Sequence, residues 1–177
     1  SQAGISVTTG TKNTLVGSLA GDALTSGIEN VVMGYAALSS EDAHGKNVAI
    51  GAYALNAQNA GTTAYNTAVG YQAGYSVSTG THNTIIGGLA GDALTSGGGN
   101  VAIGTEALSA EDANGRNIAI GVSALKVQDA GTDAYNIAIG YEAGASVTTG
   151  TLNTLMGGFA GDSLTTGEQN TAIGYAA

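Results

Sequence analysis

Apolar residues in this chain recur in short runs of three, each preceded by an Asn and closed by a Gly. Runs such as Val101-Ala102-Ile103 and Ile137-Ala138-Ile139 are typical of short β-strands. No segment sustains an apolar period of 3.6 residues, so the pattern does not favour helix. A second short apolar stretch follows each Gly, and we therefore predict two short strands and two turns in each repeat.

The repeat extends over the whole chain without a break. Ten Asn residues lie 17 or 19 positions apart, each with a Gly four positions later and an Ala seven positions later. The Asn residues are Asn13, Asn30, Asn47, Asn66, Asn83, Asn100, Asn117, Asn136, Asn153 and Asn170, and the Gly residues are Gly17, Gly34, Gly51, Gly70, Gly87, Gly104, Gly121, Gly140, Gly157 and Gly174. The order of the spacings also repeats, which indicates duplicated four-repeat blocks of 70 residues: 13–82, 83–152 and the partial block 153–177.

Fixed periods of this length are typical of solenoids. We predict one continuous unit over residues 1–177, an all-β parallel β-solenoid, or β-roll, of about ten coils of 17–19 residues. The Asn is expected at a turn, where its amide bonds to the coils above and below in a ladder, and the Gly at a sharp bend or a positive φ. A ligand-binding role for the Asn is the less favoured alternative.

The strand of each repeat is apolar at all three positions. The third is always a large aliphatic residue, such as Val16, Ile103 or Ile173, so we predict that it and the first line the interior, and that the second points outward. A strand that is apolar on both faces is usually covered on both. We therefore predict lateral association with copies of the chain, a trimer being favoured over a dimer. Neither end resembles a cap, so a longer fibre or end-to-end stacking is also expected.

The amino-acid composition excludes some classes of binding partner. The net charge is −9 with only four basic residues, which removes the electrostatic basis for binding nucleic acid or an anionic membrane surface. No apolar stretch approaches the roughly 20 residues that cross a bilayer, so membrane insertion is not expected. The absence of Cys leaves the cellular compartment open.

The sequence contains few of the residues that usually carry catalysis. The two His residues, His44 and His82, are replaced by Asn114 and Leu152 one block later. The chain has no Cys nucleophile and no Ser in a nucleophile-elbow sequence. We predict that the protein is not an enzyme and needs no cofactor.

Carboxylates recur in two turns. Asp22, Asp92 and Asp162 follow a Gly in equivalent repeats and are weak candidates for Ca²⁺, and Glu41-Asp42 and Glu111-Asp112 form the second turn. The Ca²⁺-binding nonapeptide pattern is absent, and equivalent acids lie about 19 Å apart at the usual strand spacing. We interpret all of these acids as solvated turn residues, with Ca²⁺ binding as the alternative.

Two further surfaces invite comparison with binding proteins. Thr clusters such as 148–151 are similar to the ranks of ice-binding solenoids, although half of the coils lack them. Tyr35, Tyr71, Tyr141 and Tyr175 follow the Gly and offer rings that stack on sugars if exposed. Packing of these rings over the bend is the favoured interpretation.

The strings NVAIGTEAL, NIAIGVSAL and NTAVGYQAG resemble the head repeats of YadA-like trimeric autotransporter adhesins, and also the Asn-Thr-Ala-(Ile/Val)-Gly-Tyr repeats of phage tail fibres. The resemblance implies a left-handed parallel β-roll that trimerises, in an extracellular, cell-surface or virion fibre. The adhesin repeats are shorter and usually end in Ser where this chain has Ala, so no binding residue is carried over.

The resemblance and the repeats together favour a structural shaft or spacer that presents a binding tip. Two alternatives remain open. In one, the solenoid surface is itself an adhesin that binds a cell-surface glycan or protein receptor. In the other, it binds ice or Ca²⁺.

Overall fold

The computed structural model describes residues 2–177 and contains ten strands of three residues each, one per Asn-containing repeat. They are β1 (Thr14–Val16), β2 (Val31–Met33), β3 (Val48–Ile50), β4 (Thr67–Val69), β5 (Thr84–Ile86), β6 (Val101–Ile103), β7 (Ile118–Ile120), β8 (Ile137–Ile139), β9 (Thr154–Met156) and β10 (Thr171–Ile173). Within residues 2–177, no helix has the length and hydropathy needed to cross a membrane.

All ten strands form one parallel sheet, and their order in space is their order along the chain. Each strand residue pairs with the residue at the same place in the next repeat, for example Ile85 with Ala102 and Ile86 with Ile103. The constant distance from Asn to strand sets this register. The prediction of an all-β parallel solenoid built from tandem repeats is confirmed, with the ten strands joined by nine turns of the coil.

The prediction of a second strand in each coil is wrong for the described residues. The backbone of Gly104, Glu106 and Leu108 is left-handed, with φ of 133°, 56° and 53°. A strand needs φ near −120° at every residue, so a left-handed residue at every second position prevents one. The coils remain hydrogen-bonded there, because Glu106 N–H donates to Gly88 O at 3.1 Å and Leu108 N–H to Ala124 O at 3.0 Å.

The middle residue of each strand faces the interior, so our assignment of the first and third residues to that face is wrong. In β6, Ala102 is fully buried, whereas Val101 and Ile103 are partly exposed. The reason lies in the preceding Asn. Asn100 is itself fully buried, and residues two apart on a strand share a face, so an inward Asn carries the middle residue inward with it.

In several coils the interior is filled by compensation between two positions. Where the middle strand residue is Ala, as at Ala102, the residue six positions later is often Leu, here Leu108. Where the middle residue is large, as at Ile85, the equivalent residue is Gly91. A Cβ added at Gly91 would lie 2.8 Å from Leu94 Cδ1 and 3.6 Å from Ile85 Cδ1. In these two coils one large side chain fills this level, carried by the strand at Ile85 and by the turn after the Gly at Leu108.

The Gly that closes each strand is required by its surroundings. At Gly87 the φ is 132°, and a Cβ would lie 2.5 Å from the carbonyl oxygen of Gly104 in the next coil. The Gly column thus lets consecutive backbones approach closely as the chain leaves the sheet.

Candidate functional site

The outward face of the sheet is an unbroken aliphatic stripe. The third strand residue is Val, Ile or Met in every coil, and the first is Val, Ile or Thr. Met33, Ile86 and Met156 on this face are each more than one-third exposed. We call this surface the outward face. It exists because Asn and the middle residue take the inward side, which leaves both flanking residues outside.

The size of the outward face sets what it can do. A spacing of about 4.8 Å puts β1 and β10 about 43 Å apart, and two side-chain columns are about 10 Å wide, so the face covers on the order of 400 Å². An exposed apolar patch of this size is in the range that often marks an interaction site. The face carries no charged side chain in any of the ten strands, so its chemistry is suited to an apolar partner surface.

The Asn residues are occupied by contacts within the coil stack. Asn83 Oδ1 accepts from the backbone N–H of Asn100 at 2.9 Å, and Asn83 Nδ2 donates to Gly97 O at 2.9 Å. The same acceptor contact is repeated from Asn13 to Asn170. The ladder therefore runs from side chain to backbone along the whole stack, and ties each coil to the next.

Asp22, Asp92 and Asp162 lie in three separate coils, and the structure does not bring them together. One carboxylate oxygen of Asp22 and one of Asp92 are buried without a hydrogen-bond partner. Burial raises the pKa of Asp92 above its ordinary value. None of the three belongs to a group of potential metal ligands among residues 2–177.

Glu41 and Glu111 are fully buried, so our interpretation of them as solvated turn acids is wrong. Their neighbours Asp42 and Asp112 are exposed, as expected. Both Glu residues stand eleven positions after an Asn, in a column that the other coils fill with Val, Leu or Gln. That column was the signal in the sequence. It reads Val7, Leu24, Glu41, Gln58, Val77, Leu94, Glu111, Gln128, Val147 and Leu164.

The buried Glu111 is held by two weak contacts. Oε1 accepts from Asn114 N–H at 3.2 Å, and Oε2 from Asn117 Nδ2 at 3.5 Å. Burial raises its pKa from 4.5 to about 7, against the hydrogen bonds from Asn114, which lower it. Burial also raises the pKa of Glu41, whose Oε1 accepts from His44 N–H at 3.0 Å.

The two Glu residues anchor the groups of potential metal ligands in the described chain. Glu41, Asp42 and His44 form one, and Glu111, Asp112 and Asp129 form the other, with ligand atoms within 4.8 Å of one another. In each group one oxygen of the buried Glu is already engaged by a backbone N–H. The two groups differ in composition because one block later His44 is replaced by Asn114 and Asn59 by Asp129.

The Tyr residues after the Gly are about half exposed. Tyr71 is 56% exposed and Tyr141 is 52% exposed. Their neighbours partly cover them: the Tyr141 and Phe159 ring centroids are 5.2 Å apart, edge to face, as are those of Tyr35 and Tyr53. Tyr35 and Tyr141 thus pack against a neighbouring ring and leave part of their surface to solvent.

Thr hydroxyls on the turns are partly engaged by the next coil. Thr25 Oγ1 donates to Asp42 O at 2.9 Å, and Thr95 Oγ1 to Asp112 O at 2.8 Å. These contacts stabilise the stacking of the turns. The hydroxyls that make them are directed along the rod rather than away from it.

No family model, no curated protein and no solved structure matches this chain.

Proposed function

We propose that this protein is a non-enzymatic structural rod, the shaft or spacer of an extracellular, cell-surface or virion fibre that presents a binding tip, and that it assembles laterally as a homotrimer. The observation that carries the proposal is the outward face, an aliphatic stripe along all ten coils. A left-handed coil is implied by the resemblance to YadA-like head repeats.

Rigidity supports a shaft. Each coil is tied to the next by strand pairing, by the Asn ladder and by the backbone bonds of the left-handed turns. Such bonds join every pair of neighbouring coils from β1 to β10. A rod with continuous bonding between neighbouring units transmits force without a hinge.

The area of the outward face supports three subunits rather than two. Two stripes packed face to face bury on the order of 400 Å² per partner, about half of what a stable interface needs. Three rods around one axis each border two copies. Each subunit then forms two interfaces instead of one, so more of its surface than in a dimer is buried.

The test is the mass of the native chain by sedimentation and light scattering. A trimer has about three times the chain mass of 17.1 kDa. The variant Ile103→Asp places a charge in the outward face, so we expect the mass to fall towards that of one chain while the circular dichroism of the folded coil is retained. Thr132→Asp, on an exposed turn, is the matched control. A native chain that stays monomeric at millimolar concentration refutes lateral assembly.

The half-exposed rings of Tyr71 and Tyr141 favour a second candidate, an adhesin whose solenoid surface binds glycan or protein. Stacking of a sugar on an exposed ring predicts that Tyr71→Ala and Tyr141→Ala weaken binding to a cell-surface glycan array without changing the mass. A shaft without surface binding gives no array signal for either the native chain or the variants.

A further inference from the structure

The residue before each Asn forms a ladder of side chains beside the outward face. In every coil this residue has a left-handed backbone, with φ between 53° and 71°. Its side chain is therefore directed outward, next to the equivalent side chain of the neighbouring coil. The ladder consists of Lys12, Glu29, Lys46, Tyr65, His82, Gly99, Arg116, Tyr135, Leu152 and Gln169.

Successive side chains of the ladder contact each other in the first block. Glu29 lies between two cations, with Oε1 3.1 Å from Lys12 Nζ and Oε2 3.9 Å from Lys46 Nζ. Lys46 Nζ in turn lies 5.4 Å from the ring centroid of Tyr65, and the Tyr65 and His82 rings stack at 5.3 Å. One side chain per coil thus makes a continuous series of contacts.

Gly99 interrupts this series. Gly99 occupies, in the second block, the position that Glu29 occupies in the first. Its neighbours in the ladder are His82 on one side and Arg116 on the other. Beyond the interruption the ladder resumes, with Arg116 5.5 Å from the ring centroid of Tyr135. Where the first block holds a carboxylate between two cations, the second block has no side chain.

The interruption is a notch of about 400 Å³, open to solvent. His82 and Arg116 stand at its two ends, Thr81 and Ser96 contribute to its wall, and Gly98 and Gly99 leave its floor as bare backbone. Contacting groups elsewhere in the ladder lie 5.3–5.5 Å apart from coil to coil. A gap of two coils therefore accommodates one ring between His82 and Arg116.

Arg116 retains donors for an acid. Its Nη1 donates to Tyr135 Oη at 3.1 Å and forms the ion pair with Asp133. Among residues 2–177, it makes no hydrogen bond through Nη2 or Nε, although a guanidinium has five N–H donors. The Asp133 carboxylate also lies in the notch wall, and it opposes a doubly charged anion such as phosphate more than a singly charged carboxylate.

We propose that the notch at Gly99 binds a carboxylate-bearing sugar ring of the uronic acid type. The sugar carboxylate accepts from the unoccupied donors of Arg116, in the role that the Glu29 carboxylate has towards its two lysines. The ring lies against the imidazole face of His82. The Oγ atoms of Thr81 and Ser96, which already contact His82 Nδ1 at 3.0 Å and Ala113 O at 3.4 Å, accept from the ring hydroxyls. This site goes beyond the shaft function and does not depend on it.

The notch is compatible with lateral assembly. Its wall residues Ser96, Thr81 and Asp133 precede the ladder in their coils, whereas the outward face follows it. The notch therefore opens away from the strand side of the ladder. A subunit that packs on the outward face leaves this side accessible.

The experiment is saturation-transfer NMR on the full chain, with methyl β-glucuronide as probe and methyl β-glucoside as its neutral match, each at millimolar concentration. We expect saturation transfer to the glucuronide at least fivefold above that to the glucoside. Gly99→Glu inserts the chain's own carboxylate and should abolish the signal. The substitution is tolerated because Gly99 has φ 71° and Glu29 occupies the equivalent position at φ 59°.

Gly61→Glu is the control of equal charge. Gly61 is exposed, has φ 66° and has no atom within 4 Å of an added Cβ, so this variant should bind the glucuronide as the native chain does. Light scattering on the same samples separates the two proposals, because Gly99→Glu should leave the mass unchanged. Arg116→Gln should lower the glucuronide signal at least threefold.

Four results overturn the proposal: no transfer to the glucuronide, equal transfer to the glucoside, persistence of the signal in Gly99→Glu, or its loss in Gly61→Glu. The α-amide of N-acetylglutamate, which carries only the side-chain carboxylate, tests a peptide side chain instead of a sugar. A signal equal to that of the glucuronide would assign the notch to acidic peptides and refute the sugar.

Discussion

Replacing Glu111 by Gln tests the buried carboxyl column of the solenoid. Glu111 is fully buried between coils that carry Leu94 and Gln128 at the same position. Gln128 shows that an amide is accommodated in this column, because its Oε1 accepts from Asn136 Nδ2 at 2.7 Å and its Nε2 donates to Thr148 O at 3.0 Å. The substitution therefore removes the charge at nearly constant shape.

The size of the expected change in stability follows from the pKa of Glu111. Burial raises the pKa of Glu111 from 4.5 in the unfolded chain to about 7 in the folded protein. Between these values the folded state binds the additional proton, so its stability is full below about pH 4.5 and falls as the pH rises through 7. A difference of about 2.5 units corresponds to about 3 kcal/mol, lost by pH 8. Gln avoids this loss and gives up one weak hydrogen bond, at a cost of about 1 kcal/mol.

The assay is the thermal unfolding temperature between pH 4 and pH 8, followed by circular dichroism. We expect Glu111→Gln to be less stable than the native chain by about 1 kcal/mol at pH 4.5 and more stable by about 2 kcal/mol at pH 8, so the two curves cross. Glu168→Gln, the same substitution at an exposed residue of another coil, is the control and should not flatten the native curve. Parallel curves for Glu111→Gln and the native chain would refute the buried-charge reasoning.

Three further predictions concern the coil stack. Asn83→Ala leaves Asn100 N–H and Gly97 O without their buried partner and should cost about 2–4 kcal/mol in urea unfolding, whereas a loss below 0.5 kcal/mol would contradict a structural ladder. Ala102→Leu overfills the interior and should cost about 1–3 kcal/mol by the same measurement, while Ile103→Ala on the outward face changes the mass rather than the stability of an isolated chain. Since Asp22, Asp92 and Asp162 lie in separate coils, added Ca²⁺ should change the melting temperature of the native chain no more than that of a variant with all three replaced by Asn, and a larger rise for the native chain would restore the Ca²⁺ interpretation of these residues.

The fold could be predicted from the sequence because the same motif recurs at regular intervals. The Asn-to-Gly distance is constant, so stacking one repeat on the next places every strand residue against its equivalent, as Ile85 lies against Ala102. The lack of a helical apolar period excluded helix, and the observed coil contains none within residues 2–177. The register of all ten strands could thus be read from spacing alone.

Only the tertiary structure decided which face of each strand is inside. The strand is apolar at all three positions, so the sequence shows no alternation of polar and apolar residues that would identify the inward face. The large third residue suggested the wrong face. Packing resolved it: the coil is narrow, the buried Asn fixes the inward side, and Ala102 fits there beside Leu108.

The tertiary structure also decided the chemistry of single side chains. Glu111 and Asp112 are adjacent in the sequence, yet one is fully buried and the other exposed, because only one lies in the inward column. Gly99 forms a notch only together with His82 and Arg116, each of which lies 17 positions away along the chain and one coil away in space. A repeat therefore fixes the path of the backbone, while the few positions where one coil differs from its neighbours acquire a role only once stacking brings them together.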